Sequence, residues 1–497
     1  MAAINDLPPP PHPVRIHDTL RGQVVPLVPR VSPRVSLFVC GLTPYKPSHL
    51  GHGRTFVFFD VVARFLAQQG YRVFYLQNVT DLEDKTLQQA RTEGTTYFDV
   101  SERNFQEYLG DMGRLGVRSV NLYARCTDYL PEILAQIETL RAKGYAYQGA
   151  NGDVYFEVAR FPAFGALSRQ RLEMVQPGTR VEVDPHKRAP EDFVIWKSAK
   201  ADEPSWPSPF GPGRPGWHVE DTALTVNTLG PRYEIHGGGA ELKFPHHEAE
   251  IALAESATGL APLAQIWMHA GLLNMRGEKM SKSLGNVVGL GETLADHPPA
   301  LVRFFLLNGL YRSPLEFAGE ESWEEAGRSL SRLRGPYDRL LALSSDAQAG
   351  GPDHRREPPP NLREGSRQAI EKVRGALADD FNVREALAGL FGWGREVSST
   401  LAQGESLAPG ALLDLLAPYR FADASLGFLE LGRPAAPALA PPSFDSLVDL
   451  VLQARENARR RGDFREADEL RQSLEGAGFV IEDTPQGPRW RVRPGGG

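Results

Sequence analysis

Residues 36–81 read SLFVCGLTPYKPSHLGHGRTFVFFDVVARFLAQQGYRVFYLQNVTD, and this stretch decides the fold. The apolar run SLFVCGL predicts a buried strand. The segment TFVFFDVVARFLAQQG has apolar residues at helical spacing and ends at Gly70, a helix stop signal. YRVFYLQNVTD predicts a second strand. Strand, helix and strand in this order form a βαβ unit, which implies an α/β fold with a parallel sheet and ligands at the carboxyl ends of its strands.

The bulk composition narrows the class of protein. A chain of 497 residues is too long for one hydrophobic core, so we expect several domains. No apolar run reaches the roughly 18 residues of a membrane span, and the N-terminus lacks the features of a signal peptide. Cys40 and Cys126 form no CxxC pair, which favours a reducing cytoplasm. The net charge of -7 argues against a basic surface over the whole protein for nucleic acid, but not against a local basic face.

The segment HLGHGR, His49–Arg54, lies between the first strand and the helix, where a helix N-terminus can receive an anion. The imidazoles of His49 and His52 can donate hydrogen bonds to phosphate oxygens, and Gly51 lets a nucleotide approach the backbone. Four residues make a weak pattern, and two surface histidines before a helix are the simpler interpretation if nothing else supports it.

Support comes from GEKMSKSLGN, Gly277–Asn286, which places Lys279 and Lys282 in a cationic loop. Such a loop can neutralise the charge that develops on a pyrophosphate leaving group. The two motifs, in this order and on this fold, resemble the signature HIGH followed by KMSKS of the class I aminoacyl-tRNA synthetases. The only departure within the two motifs is Leu50 in place of isoleucine.

Longer segments resemble one family of that class, the cysteinyl-tRNA synthetases, from about Val14 to the C-terminus. They include QNVTDLEDK, DFVIWKSAKADEPSWPSPFGPGRPGWHVE, EIHGGGAELKFPHHEAEIA, YRSPLEF, DDFNVREAL and EDTPQGPRW. The resemblance implies a Rossmann-type catalytic domain with a parallel sheet and an inserted connective segment. It also implies a helical bundle and a small C-terminal α+β module after that domain.

Two composition breaks suggest linkers, at Ser344–Pro360 and Gly432–Asp445. Together with these breaks, the resemblance implies an N-terminal extension at residues 1–30 and a catalytic domain at 31–335, with the connective insertion at about 120–215 and the KMSKS region. A helical tRNA-binding bundle is expected at 361–431, and an anticodon-binding module at 444–497.

The resemblance implies one zinc ion per chain, held by two cysteines, a histidine and a glutamate, to which the substrate thiolate binds. Zinc favours sulfur, whereas the alcohol of serine stays protonated and is a poor ligand. Cys40, His246 and Glu250 match three of these ligands, and the i, i+4 spacing of the last two suits one helix face. Asp221, in WHVED, occupies the position of the second cysteine.

Three interpretations of Asp221 remain open. Aspartate is an accepted zinc ligand, so it can replace the thiolate with the charge of the site unchanged. Alternatively, the site has lost its metal and recognises another amino acid. In the third interpretation, the chain is a decayed copy that binds tRNA or nucleotide without activating an amino acid, which the intact HLGHGR and KMSKS motifs argue against.

The resemblance also assigns roles to other residues. Catalysis would depend on His49, His52, Lys279 and Lys282. ATP, with Mg²⁺, would meet Gly51, His236, Gly237, Gly238, Gly239, Lys279, Met280, Ser281, Lys282 and Ser283. The amino acid would meet Cys40, Gly41, Thr80 and Trp217.

We expect a cysteine–tRNA ligase that forms cysteinyl-adenylate from ATP and transfers cysteine to tRNA(Cys), as a cytoplasmic monomer without membrane contact. The arginines of READELR and RWRVR could contact tRNA phosphates and bases, although a solvated charged helix shows the same pattern. The alternative is a diverged paralogue that activates another amino acid or joins cysteine to a small-molecule amine.

Overall fold

The protein is described by a computed structural model. It covers residues 13–170, 184–275, 277–279, 287–348, 362–402 and 407–433, and within 451–492 all residues except 453, 457, 460, 462, 477–478 and 485–486. The chain divides into two compact units, Met1–Gly432 and Arg433–Gly497. Within the described ranges, no helix is long and apolar enough to cross a membrane.

The elements of the first unit follow each other in chain order. They are β1 (Arg15–Asp18), β2 (Gln23–Pro26), β3 (Arg34–Leu42), α1 (Leu50–Gln68), β4 (Arg72–Val79), α2 (Asp84–Glu93), α3 (Tyr97–Arg114), β5 (Leu122–Arg125), α4 (Leu130–Ala142), β6 (Ala146–Gln148), β7 (Val154–Phe156), β8 (Phe193–Ser198), β9 (Gly213–Pro215), α5 (Trp217–Leu229), β10 (Tyr233–Gly239), α6 (His246–Thr258), β11 (Ala264–Ala270), β12 (Leu273–Met275), β13 (Glu278–Lys279), α7 (Leu290–Asp296), α8 (Pro299–Leu307), β14 (Leu315–Phe317), α9 (Glu320–Gln348), α10 (Leu362–Ala378), α11 (Val383–Ala402) and α12 (Pro409–Leu426). The second unit contains α13 (Phe464–Gly476), β15 (Phe479–Thr484) and β16 (Gly487–Val492).

The central sheet has five parallel strands in the order β11-β10-β3-β4-β5. The predicted βαβ unit is confirmed as β3, α1 and β4. The chain order reverses between β3 and β10, which makes this boundary the topological switch point of a doubly wound sheet. Ligands of such sheets bind outside the carboxyl ends of the strands at that point, and Cys40 lies near the end of β3.

Helix α1 begins earlier than the sequence suggested. HLGHGR was expected before the helix, but His49 is the N-cap and His52 lies in the first turn. The Nδ1 atom of His49 accepts from the backbone N–H of His52 at 3.4 Å, and the backbone N–H of His49 donates to Nδ1 of His52, also at 3.4 Å. The two imidazoles therefore cap the helix, a role that is rare for histidine. The spacing of apolar residues along the sequence does not reveal it.

The inserted segment forms a four-stranded antiparallel sheet, β6-β7-β8-β9. Its apolar face shares a core with helices α4, α5 and α6, including Ile133, Phe156, Trp196, Val219 and Leu253. Packing in this core holds α5 and α6 together. The chain passes from β9 directly into α5, so the sheet also fixes where α5 begins. The insertion thus positions the two helices that face the carboxyl ends of β3 and β10.

Helices α9 to α12 form the helical part of the first unit, and α11 confirms the helix expected in DDFNVREALAGLFGWGREVSSTLAQ. The first predicted linker begins at Ser344, but residues 344–348 belong to α9, and 349–361 lie outside the described residues. Residues 434–450, which include most of the second predicted linker, also lie outside them. The domain boundaries remain predictions, and α9 runs without a break across residue 335.

In the second unit, α13 packs on the β15-β16 hairpin around Leu474, Phe479 and Ile481. The helix and both strands appear where the sequence predicted them. Arg465 of READELR is highly exposed and pairs with Glu469 at 3.1 Å. The side chains of Arg489 and Arg491 in RWRVR lie outside the described part.

Candidate metal centre and active site

The four side chains predicted as ligands converge at the switch point. Cys40 comes from β3, Asp221 from α5, and His246 and Glu250 from the first turns of α6. The Sγ atom of Cys40 lies 3.8 Å from Oδ2 of Asp221 and 3.7 Å from Oε1 of Glu250. Nε2 of His246 lies 3.0 Å from Oδ2 of Asp221 and 3.6 Å from Oε1 of Glu250. All four are buried, and one ligand atom of each lies within 4.8 Å of the others.

Two histidines that sequence reasoning did not assign to this cluster also lie in it. Nε2 of His247 is 3.2 Å from Sγ of Cys40, and Nε2 of His236 is 3.5 Å from the same atom. Nε2 of His236 is also 3.2 Å from Oε2 of Glu250. These residues form a second group of potential ligands that shares Cys40 and Glu250 with the first. The HH pair at the start of a helix was the only signal for His247 in the sequence.

Burial raises the pKa of the Cys40 thiol, and the nearby carboxylates of Glu250 and Asp221 raise it further. Burial also raises the pKa of Glu250 well above its usual value. Burial lowers the pKa of His236 and His247, which favours the neutral imidazole with a lone pair to offer. Closely packed buried acids and thiols are costly unless a cation offsets them. Thiol, imidazole and carboxylate donors together fit zinc.

Further contacts orient the imidazoles of His246 and His247. Nδ1 of His246 lies 2.7 Å from Nδ1 of His218, and the ring of Trp217 stacks on His246 with centroids 4.2 Å apart. Nδ1 of His247 lies 2.8 Å from Nε2 of His269. Such outer contacts orient the rings and select the tautomer that points towards a metal.

The residues expected around the amino acid lie next to this cluster. Gly41 follows Cys40, and a Cβ atom at Gly41 would lie 1.8 Å from the backbone oxygen of Asn78, so only glycine fits. Thr80 is buried, and its Oγ1 accepts from Nδ2 of Asn78 at 3.3 Å. Trp217 stacks on His246 and still keeps 36% of its surface exposed.

The residues expected around ATP lie in separate elements. The rings of His49 and His52 stack with centroids 3.8 Å apart. His236, expected near adenosine, has its side chain in the thiol and carboxylate cluster, where Nδ1 lies 2.7 Å from Oη of Tyr233. Gly237 admits no side chain, because a Cβ there would lie 2.4 Å from the ring of Phe59.

The described segment that follows the second signature motif pairs with the start of the first. The backbone N–H of Leu50 donates to the carbonyl of Val288 at 3.1 Å, and that of Leu290 donates to the carbonyl of Ser48 at 2.9 Å. The chain that leaves KMSKS therefore pairs with the start of HLGHGR. The side chain of Lys279 and all of Met280, Ser281, Lys282 and Ser283 lie outside the described residues, so their roles remain predictions.

Cys126 received no role from the sequence. It is buried after β5, and its Sγ lies 3.9 Å from Oδ1 of Asp221. This is the carboxylate oxygen that faces away from His246. Among the described residues, Cys126 belongs to neither group of converging ligand atoms.

Residues 26–327 match the family "tRNA synthetases class I (C) catalytic domain", and residues 442–491 match the family "Cysteinyl-tRNA ligase anticodon binding domain". The chain is 42% identical to the cysteine–tRNA ligase of Halorhodospira halophila over 480 residues, 96% of this chain and 99% of that one. It is 40% identical to the cysteine–tRNA ligase of Heliobacterium modesticaldum over 482 residues, 96% of this chain and 99% of that one.

Among solved structures, the fold resembles Mycobacterium tuberculosis methionyl-tRNA synthetase bound to methionyl-adenylate. That match has a TM-score of 0.61 at 16% identity and covers 87% of this chain and 96% of the other. Sheet, signature motifs and matches together define a class I aminoacyl-tRNA synthetase. Within that class, the chain belongs to the cysteinyl-tRNA synthetase family.

Proposed function

We propose that this protein is a cysteine–tRNA ligase, which forms cysteinyl-adenylate and pyrophosphate from cysteine and ATP and then acylates tRNA(Cys). The observation that carries the proposal is the convergence of Cys40, Asp221, His246 and Glu250 at the switch point of the sheet. The relatives that match along 96% of the chain are named as ligases of this kind, which supports the same substrate here.

Cys40, Asp221, His246 and Glu250 are the residues that would hold the metal. When bound there, zinc supplies a Lewis acid that prefers a substrate thiolate to an alcohol. This explains how cysteine can be selected over serine, since a pocket that relies on shape alone separates near-isosteres poorly. Trp217 would cover the side chain, and Thr80 would line the pocket close to Asp221.

His49 and His52 stabilise the phosphates of Mg²⁺-bound ATP as the adenylate forms, and Lys279 and Lys282 neutralise the departing pyrophosphate. Gly51 and Gly237 to Gly239 would lie beside the nucleotide, with His236 near adenosine, and Met280, Ser281 and Ser283 would complete the ATP site. Catalysis then depends on positioning and charge stabilisation. Acylation needs no covalent intermediate with the protein.

The match of residues 442–491 to an anticodon-binding domain supports tRNA as the second substrate. We propose that the catalytic domain spans 31–335 with its insertion at about 120–215, the helical bundle 361–431 and the anticodon-binding module 444–497. The enzyme would act as a cytoplasmic monomer.

The test is amino-acid-dependent exchange of pyrophosphate into ATP, with all twenty amino acids, on protein whose zinc content has been measured. Exchange with cysteine alone and about one zinc per chain is the expected result. Exchange with another amino acid would overturn the proposed substrate, and exchange with cysteine on zinc-free protein would overturn the metal site.

A further inference from the structure

Asn78, at the end of β4, connects two of the proposed metal ligands. It is 2% exposed. Its Oδ1 accepts from the backbone N–H of Gly41, the neighbour of Cys40, at 2.6 Å. Its Nδ2 donates to Oδ1 of Asp221 at 2.6 Å and lies 3.3 Å from Oγ1 of Thr80. One buried amide therefore reaches the strand that carries Cys40 and the helix that carries Asp221.

The orientation of this amide follows from its partners. The backbone N–H of Gly41 can only donate, so it must meet the oxygen of the Asn78 amide. The NH₂ group is then directed at the Asp221 carboxylate, which can only accept while it is ionised. If the amide of Asn78 were flipped, its NH₂ group would face the N–H of Gly41 and its oxygen would face the carboxylate of Asp221. Neither pair could form a hydrogen bond.

The contact with Asn78 gives the two carboxylate oxygens of Asp221 different partners. Oδ1 is taken by Asn78, while Oδ2 faces Nε2 of His246 at 3.0 Å and Sγ of Cys40 at 3.8 Å. A carboxylate has one more torsion than a thiol and two equivalent oxygens, so its ligand oxygen must be selected. A cysteine at this position would have one donor atom and would need no such selection.

We propose that Asn78 is a positioning residue for Asp221: its amide occupies Oδ1 and thereby presents Oδ2 as the single metal-binding oxygen. This inference rests on the proposed zinc site and adds to it. It also explains how aspartate can serve where the family resemblance implies a cysteine. The importance of Asn78 for metal binding consequently depends on the identity of residue 221.

A double-mutant cycle tests this dependence. Zinc affinity is measured by competition with a chromogenic chelator for the full-length wild type, N78A, D221C and N78A/D221C. Loss of an outer partner of a metal ligand typically weakens metal binding by about 10–100-fold. We expect N78A to weaken binding by about this factor when residue 221 is aspartate and by less than about threefold when it is cysteine.

The cycle separates the two contacts of Asn78. The N78A change removes the acceptor for Gly41 in both backgrounds, so that part of the effect cancels. Equal losses in both backgrounds, or no loss in either, would overturn the inference. If N78A does not fold, N78D takes its place, because it has the same shape and keeps the acceptor for Gly41. Its loss should again be larger with Asp221 than with cysteine.

The cobalt-substituted proteins provide a spectroscopic readout. Wild type and N78A should differ in the ligand-field absorption bands of cobalt, whereas D221C and N78A/D221C should have matching bands. Matching spectra for wild type and N78A would overturn the inference. A wild type that contains no zinc would instead refute the proposed metal site, so the two failures are distinguishable.

Discussion

The thiol of Cys40 and the carboxylate of Asp221 lie 3.8 Å apart although 181 positions separate them in the chain. The contact exists because β3 ends at the switch point and the insertion returns the chain there as α5. Both residues are buried, so their charges depend on neighbouring groups rather than on water. Substitutions in this centre should therefore have specific effects.

Replacing Cys40 by serine should remove zinc from the protein, because a neutral alcohol is a poor zinc ligand. The matched control is Cys126→Ser, which alters the other buried thiol, 3.9 Å from Asp221. We expect about one zinc per chain in C126S and less than about a tenth of that in C40S, by metal analysis after gel filtration. Equal zinc content in the two variants would contradict the assignment of Cys40.

Glu250→Gln should also lower zinc content, since the amide keeps the size of the side chain but loses its negative charge. Glu248→Gln on the same helix is the control. Glu248 accepts from the backbone N–H groups of Gly165 at 2.9 Å and Ser168 at 2.6 Å, so its role is structural. We expect E248Q to lower the melting temperature and keep its zinc. Zinc loss in E248Q with retention in E250Q would reverse the two roles.

The fully buried pair of Arg303 and Asp60, 2.7 Å apart, should make stability depend on pH. Burial alone would raise the pKa of Asp60, but Arg303 and Arg64 hold it below its usual value. A depressed folded-state pKa contributes stability above the unfolded pKa of about 4, and this is lost as pH falls through the folded value. Acid should therefore destabilise the wild type more than Asp60→Asn.

At neutral pH, D60N leaves Arg303 buried without its ion-pair partner and should cost about 3–5 kcal/mol. The control is Glu324→Gln, in an exposed pair with Arg328 at 3.5 Å, which should cost less than about 1 kcal/mol. Thermal unfolding of both variants between pH 3 and 7 gives the comparison. A D60N protein that is as stable as the wild type at pH 7 would contradict the expected role of the pair.

Arg54, the last residue of HLGHGR, is expected to be intolerant even to lysine. Its buried guanidinium donates to four backbone carbonyls, including Gly271 at 2.9 Å and Ser313 at 2.7 Å. Burial lowers its pKa to about 10. An ammonium group cannot reproduce this planar fork, and hydrogen bonds from charged groups contribute about 1.5–3 kcal/mol each.

We therefore expect R54K to lower the unfolding free energy by at least about 2 kcal/mol, measured by chemical denaturation. The control R103K changes an exposed arginine that pairs with Glu93 at 2.8 Å, and it should stay within about 0.5 kcal/mol of the wild type. Similar stability for R54K and R103K would contradict the expectation that the four hydrogen bonds to backbone carbonyls stabilise the fold.

Much of the fold could be predicted from local pattern. The apolar run that contains Cys40, the helix after it and the strand that ends in QNVTD all formed as expected. The i, i+4 pair of His246 and Glu250 also lies on one helix face, because helical periodicity is a local property. The start of α1 was misplaced, since the capping by His49 and His52 depends on side-chain contacts that periodicity does not report.

The centre itself was only partly predictable. Its residue types and the substitution at Asp221 were evident from the sequence, through resemblance. His236 was expected near the nucleotide, which stays a prediction, and His247 had no role; the structure places both against Cys40. Asn78 likewise had no recognisable signal.

The sequence by itself determined which segments become strands and helices and which donor atoms are available, because both depend on neighbouring residues and side-chain chemistry. Only the tertiary structure decided that His236 and His247 join the four predicted donors, and which oxygen of Asp221 faces Cys40. The physical reason is that a parallel sheet gathers the carboxyl ends of distant strands at one edge, and no periodicity along the chain encodes distances across that edge.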